Sequence, residues 1–575
     1  MKSFSKSLII PGVYGISMLC GCSAGESAQT TEKSRQPNIV LIMADDVDPL
    51  HLSCYGGKIP TPNLDALAVS GVLFHRAYAN AAVCTPSRYA TITGRFPGQC
   101  QSDEFTEAFG ENDMYSIQFN TPINDQSYTL QRMLNNAGYF TGYTGKFHIG
   151  ELTFDNPESN PDIPNIDPYM VAGSPKATNG LKKYQQIISR RLQELTGADF
   201  VSAVQWENPE GIPVQEVAAH HLEWLTQGAI DFFDTAALQE NPFFLHFNTT
   251  ALHGPNHYFD LLHDPVYTPS GDLSNPYEFH PDREEIFRRL DSLGLPNDPQ
   301  SVQDHILHYQ NGIIYMDDQV GALIAYLEDN RMLNNTIIVF TADHSTEPGK
   351  NTCYEKGLRV PFIVHGPQFA KAGKETDALI SFVDFMPTFA DIANYPIPDS
   401  IKLAGQSFQP VLKNKTYSRK AVYAEIGYLR SVCTDTFKYI AQRFPEHVTE
   451  TLQNSKEPKI SHLGNKAGGF ASIAMEYHPG YFDADQLYNL IEDPYEQKNL
   501  ANNPDYEKKL DEMQDLLTTF LLEIGHYYPL ADTAYVQLPA YKQAVKNARQ
   551  VGTSNIPWWN RTLDYPPAKE NLFYY

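Results

Sequence analysis

Asn38-Ile-Val-Leu-Ile-Met43, followed at once by Ala44-Asp45-Asp46, is the stretch on which the fold reading turns. A short continuous apolar run reads as a strand buried on both faces, as in a parallel sheet. Working outward, similar runs occur at Tyr139-Phe-Thr-Gly-Tyr-Thr144, Phe243-Phe-Leu-His-Phe247 and Thr336-Ile-Ile-Val-Phe-Thr341. Helical patterns lie between them, from Thr129 to Ala137 and from about Val302 to Asp329. Strand alternating with helix predicts an α/β fold, a large mostly parallel sheet flanked by helices. Each run leads at its carboxyl end into residues able to do chemistry: Asp45-Asp46, Lys146 and His148, His253, and Asp343-His344. Ligands of open α/β sheets bind outside those ends, so four strands point at one site.

After about Lys415 the pattern changes to short strand-like pieces, Ala421-Val-Tyr-Ala-Glu425 and Phe437-Lys-Tyr-Ile-Ala441, then Asp485 to Leu500. A last amphipathic helix starts after Asn503-Pro504 and ends at Gly525, with Leu510, Met513, Leu517, Phe520, Leu521 and Ile524 on one stripe. This predicts a catalytic-sized domain over 37–415 and a smaller C-terminal α+β domain over 416–575, with a short antiparallel sheet. The tail from Tyr527, which includes Trp558-Trp559, shows no clear element.

At 575 residues and 42% hydrophobic composition the chain can bury a large core. A net charge of -25 argues against nucleic acid as a partner, because that binding needs Lys and Arg to neutralise phosphates. Lys2 and Lys6, the apolar stretch Leu8 to Leu19 and then Leu19-Cys20-Gly21-Cys22 read as a bacterial lipoprotein signal over 1–22, with cleavage before Cys22 and acylation of it. The run is well short of the ~20 apolar residues that span a bilayer and contains Pro11, Gly12 and Gly15, which disfavours a membrane helix. Small polar residues over 23–36 then suit a flexible tether. The expected protein is exported and lipid-anchored to the cell envelope, touching membrane only through that anchor. Cys54, Cys100, Cys353 and Cys433 show no CxxC spacing and read as small buried or free thiols.

Cys84-Thr85-Pro86-Ser87-Arg88, continuing to Ile92-Thr93-Gly94-Arg95, resembles the signature of the formylglycine-dependent sulfatases, of the alkaline phosphatase-like superfamily. Thr85 can cap a helix and Pro86 suits its first turn, which would put residue 84 at a positive helix end where an anionic sulfate is favoured. The resemblance implies that a maturase oxidises Cys84 to formylglycine, an aldehyde that hydrates to a diol. One hydroxyl would attack sulfur and expel the alcohol, and deprotonation of the other would release sulfate.

Further motifs extend the resemblance. It assigns Asp45-Asp46 and Asp343-His344 to one Ca²⁺, whose shell residue 84 helps to complete; hard carboxylate oxygens suit that ion. Ser345 departs from the Gly common in the family at the next position. Gly145-Lys146-Phe147-His148-Ile149-Gly150 is similar to the family's Gly-Lys-Trp-His-Leu-Gly, with Phe147 in place of Trp. There Lys146 would bind sulfate oxygens and His148 would take the diol proton. His253, in Leu252-His253-Gly254-Pro255, and Lys350, in Gly349-Lys350-Asn-Thr-Cys-Tyr354-Glu355, would hold the sulfate and protonate the leaving oxygen, while Arg88 would fix the nucleophile's loop. Asp485-Gln-Leu-Tyr-Asn-Leu490 resembles the family's C-terminal signature, so the likeness covers nearly the whole chain after the leader.

The expected activity is hydrolysis of sulfate esters, with sulfated carbohydrate as the substrate that a lipid-tethered sulfatase suggests. Phosphonate or phosphate ester hydrolysis within the same superfamily, and glycan binding without catalysis, are the alternatives. Specificity is expected in loops from about Glu151 to Gln215 and Asn256 to Pro299, and in the aromatic tail.

Overall fold

The computed structural model describes residues 36–109, 114–208, 211–214, 217, 220–253, 267–272, 305–346, 349–367, 369, 373–446, 448, 450, 461–463, 474, 475 and 477–530. Residues 1–35 with Cys22, the C-terminal residues with Trp558-Trp559 and, apart from 267–272, residues 256–299, where a specificity segment is expected, lie outside these residues.

Nine strands make the main sheet: β1 (Asn38–Ala44), β2 (Val72–Tyr78), β3 (Phe140–Lys146), β4 (Phe200–Gln205), β5 (Phe243–Asn248), β6 (Thr336–Ala342), β7 (Arg359–His365), β8 (Lys374–Thr376) and β9 (Ile380–Ser381). Their order is β8-β2-β7-β6-β1-β5-β3-β4, with β9 also on β2. β1 is central: Leu41 lies between His246 and Val339, and all seven of its residues are buried. The four strands expected from apolar runs are present, and each runs a residue or two further at its carboxyl end. Lys146 thereby closes β3 rather than following it.

Only β7 runs against the other strands, pairing antiparallel with both β2 and β6. Neither β2 nor β7 stands out in the sequence, and one device explains both. Pro361 lies inside β7 and lacks the N–H that an interior strand must donate. The pairing jumps from Phe74↔Phe362 to Ala77↔Val360, so His75 and Arg76 bulge opposite that proline. The bulge that accommodates the proline also puts two polar residues in the middle of β2, which breaks its apolar run.

The second sheet is antiparallel, β10 (Val422–Ile426), β11 (Leu429–Cys433), β12 (Phe437–Gln442) and β13 (Asp485–Asn489) in that order. A C-terminal helix, Glu507–Ile524, packs on β11 and β12, burying Met513, Leu517 and Ile524 and ending at Gly525 in the left-handed conformation. Asn80, in the turn before Cys84, ties this sheet to the main one: its amide donates to the Tyr423 carbonyl at 2.7 Å and to Ser381 at 2.9 Å. The four cysteines Cys54, Cys100, Cys353 and Cys433 are unbridged, and all but Cys54 are buried.

A second tie is electrostatic. Lys438 of β12, fully buried, lies 2.7 Å from Glu355 and 3.3 Å from Glu496. One ammonium cannot neutralise two carboxylates, and burial with Glu355 alongside pushes Glu496 up to about 7 despite Lys438. A carboxyl raised in the folded state contributes stability below its unfolded range and loses it as pH rises through about 7. Lys438→Met leaves both carboxylates without their cation. We expect a loss of about 3 kcal/mol at pH 8 that shrinks towards pH 5, measured by denaturant unfolding. A loss that does not vary with pH would contradict the raised Glu496 carboxyl.

Candidate active site

The helix Cys84–Thr93 is buried at every one of its ten positions, an environment ordinarily reserved for apolar helices. Its N-cap is Val83, so Cys84 opens the first turn. Thr85 therefore does not cap it, contrary to the sequence expectation; its hydroxyl is buried with no hydrogen-bond partner among the described residues. The electrostatic consequence is unchanged, because residue 84 still lies where unpaired backbone N–H groups concentrate positive potential.

Arg88 sits one turn further in, 2% exposed. Its Nε donates to Asp343 at 3.0 Å, and Nη1 donates to the Lys146 carbonyl at 3.2 Å and the Asn248 side chain at 2.9 Å. Nη2 lies 3.0 Å from Asp343 and 3.6 Å from Asp45. Asn248 carries no motif in the sequence, although it closes β5 at the same carboxyl edge of the sheet as the other candidate residues. Gly145 is required beside it: a Cβ there would meet the Asn248 carbonyl oxygen at 1.8 Å, and its φ of 96° is left-handed.

Around Cys84 the expected groups converge. Sγ lies 3.5 Å from Asp45 Oδ1, 3.3 Å from His344 Nε2 and 3.3 Å from Lys146 Nζ, and Lys146 also pairs with Asp45. Burial, with Asp45 adding to it, pushes the Cys84 thiol well above its usual range, against the pull of Lys146. Asp45, Cys84, Asp343 and His344 each bring a ligand atom within 4.8 Å of the others. His344 Nδ1 faces the Ser345 carbonyl at 2.8 Å, an acceptor only, so in the neutral ring Nε2 turns its lone pair to the cluster. Two buried carboxylates, an imidazole nitrogen and residue 84 are a donor set that fits a divalent cation.

Asp46 stands beside this group rather than within it. Lys350 donates to its two oxygens at 2.8 and 2.7 Å, and its backbone N–H points to Asp343 at 3.3 Å. Asp46 Oδ1 is nevertheless 3.3 Å from His344 Nδ1, on the border of the cluster. Ser345, the departure from the family pattern, is buried and donates to Asp48 at 3.1 Å.

The histidines flank this core. His148 takes a left-handed φ of 53°, its N–H donates to the Trp206 carbonyl at 2.8 Å, and its buried Nδ1 has no hydrogen-bond partner among the described residues. Burial, helped by Lys146 and Arg88, holds its imidazole well below the usual range and hence neutral. Phe119 stacks on it at 5.6 Å while remaining 40% exposed, a contact without a signal in the sequence. Phe147 fills the family's Trp position, fully buried against Trp206 at 5.2 Å. His253 feels Lys146, Lys350, Asp45 and Asp46, and burial with the two lysines lowers it. Every predicted site residue from Asp45 to Lys350 thus belongs to one neighbourhood.

Comparison with known proteins agrees with this geometry. The sulfatase family model matches residues 37–395, and a model of the N-sulphoglucosamine sulphohydrolase C-terminal region matches 349–460. An N-acetylgalactosamine-6-O-sulfatase of Bacteroides thetaiotaomicron is 25% identical, over 90% of this chain and 100% of its own. An ulvan-active sulfatase of Formosa agariphila is 27% identical, over 87% and 77%. A solved structure from work on glycosaminoglycan metabolism by Bacteroides thetaiotaomicron superposes with a TM-score of 0.54 at 23% identity, covering 85% of this chain and 99% of that one. With its mostly parallel nine-stranded sheet, buried Cys84 helix and family match over most of its length, the chain belongs to the sulfatase family, within the alkaline phosphatase-like superfamily.

Proposed function

We propose that this sulfatase acts on sulfated glycans, with a formylglycine made from Cys84 by a maturase and one Ca²⁺ as its resident ion. The observation that carries the reading is the convergence of Asp45, Lys146 and His344 within 3.5 Å of the residue 84 side chain, at the start of a buried helix. Three carboxylates, Asp45, Asp46 and Asp343, face three fixed cations, Arg88, Lys146 and Lys350. A divalent cation added to that balanced set leaves the pocket positive, as a departing sulfate dianion requires. Bound there, Ca²⁺ supplies charge stabilisation at a sulfate oxygen, and the hydrated aldehyde supplies the attacking hydroxyl.

The chain's own residues do the rest. Lys146 steadies the sulfate from the β3 side, and Arg88 holds the helix that carries residue 84. His148, kept neutral, is ready to accept a proton from residue 84. Lys350 stands on the Asp46 side, and Lys350 and His253 together bind the sulfate and serve the leaving oxygen. Glycan substrates are supported by the relatives named for an amino sugar sulfate and for ulvan. Export and lipid attachment at Cys22 are supported by the leader's pattern of Lys2, Lys6 and the apolar stretch before Cys20-Gly21-Cys22. No helix among the described residues is long and apolar enough to cross a membrane.

Sulfate and phosphate esters of the same alcohol decide between this reading and its rivals. The sulfate ester should have the higher kcat/KM by about 100-fold, roughly 2.7 kcal/mol of transition-state binding. A preference for phosphate would make the protein a phosphoester hydrolase, and glycan binding without turnover of either ester would make it a lectin-like relative. Calorimetry on chelator-treated, matured protein should show one Ca²⁺ bound per chain and a raised unfolding midpoint; tighter binding of Zn²⁺ than of Ca²⁺ would rule out the ion assignment.

A further inference from the structure

At the edge of the main sheet, alongside β8, a groove of about 780 Å³ follows the seam where the chain passes from the first sheet to the second. Acidic residues outnumber basic ones 68 to 43 over the whole sequence. Inside the groove the balance is reversed, with five basic side chains and three acidic ones. Lys374 comes from β8, Lys415, Arg419 and Lys420 from the connecting segment, and Lys509 from the C-terminal helix.

These cations fall into two sets. Arg419 is committed to structure, paired with Asp384 and donating to the Tyr417 hydroxyl at 3.2 Å. Lys374 likewise donates to the Val411 carbonyl at 3.3 Å and to Asn414 at 3.1 Å. Lys415 and Lys420 are exposed and form no ion pair among the described residues. Two half-buried rings, Tyr417 and Phe437, line the same groove, and the Lys509 ammonium lies 5.4 Å above the latter while pairing with Glu512. Aromatic rings sharing a groove with the unpaired Lys415 and Lys420 offer a sulfated sugar chain a stacking surface for its rings and charge-assisted partners for its sulfates.

The groove shares no residue with the cluster at Cys84. Counting strands from β8 through β2, β7 and β6 to β1 puts the two about 19 Å apart across the sheet. We propose that this groove is a second binding site, for a sulfated polysaccharide, which retains the polymer while the buried site works on a sulfate elsewhere along it. The choice of sulfate as the anion rests on the sulfatase reading; the presence of a polyanion site does not.

Lys415→Glu combined with Lys420→Glu tests this, because both side chains are exposed and the unfolding midpoint should stay unchanged. Binding of dextran sulfate, carboxymethyl dextran and plain dextran is measured on a biosensor surface at roughly 0.15 M salt. The unaltered protein should bind dextran sulfate best and plain dextran least, and the double variant should bind dextran sulfate about tenfold more weakly. Equal binding by variant and unaltered protein, or no binding by either, overturns the groove. Equal binding of carboxymethyl dextran and dextran sulfate overturns its assignment to sulfate. Turnover of a small sulfate ester should be the same in both proteins; loss of turnover in the variant alone contradicts a separate site. If neither protein turns the ester over while the binding difference holds, the groove stands and the sulfatase reading fails.

Discussion

A guanidinium withdrawn from water must be met by anions and acceptors, and Arg88 meets that requirement at the ends of four different strands. Asp343 follows β6, Asp45 follows β1, the Lys146 carbonyl ends β3 and Asn248 ends β5. One planar side chain with several fixed donors thereby anchors the Cys84 helix over the sheet, a geometry that a single lysine ammonium cannot reproduce. The fully buried position of that helix and the location of Cys84 both follow from the same anchoring.

The second constraint is charge. Buried acids and buried cations alternate around Cys84, each partly neutralising the next, so neither set is stable without the other. The arrangement also explains why a plain thiol is poorly placed as a nucleophile there: the pocket favours its protonated form. Support comes from the second sheet as well, since Asn80 and Glu425 link the turn before Cys84 to β10, and Glu425 N–H donates to the Asn80 carbonyl at 2.9 Å. The C-terminal sheet is therefore part of what holds the turn before Cys84 in place.

Much of this was legible in the sequence. Strands buried on both faces leave runs with few charged residues, so β1, β3, β5 and β6 could be found together with the candidate site residues at their ends. β2 and β7 could not, because a proline in one is matched by a polar bulge in the other and both signals cancel in a one-dimensional reading. The N-cap at Val83 has no sequence signal, because its apolar side chain makes no capping hydrogen bond. Phe119 and Asn248 are ordinary residues in sequence and become functional neighbours only through His148 and Arg88. The basic groove is likewise assembled from four separated segments, so charge counted along the chain conceals it.

The central claim is that Cys84 is the precursor of the nucleophile rather than the nucleophile itself. The most direct measurement is the mass of the tryptic peptide from Ala77 to Arg88, taken from protein made in a host that contains the maturase. The account predicts an aldehyde at residue 84 in active protein. An unmodified thiol in protein that still cleaves sulfate esters would contradict it.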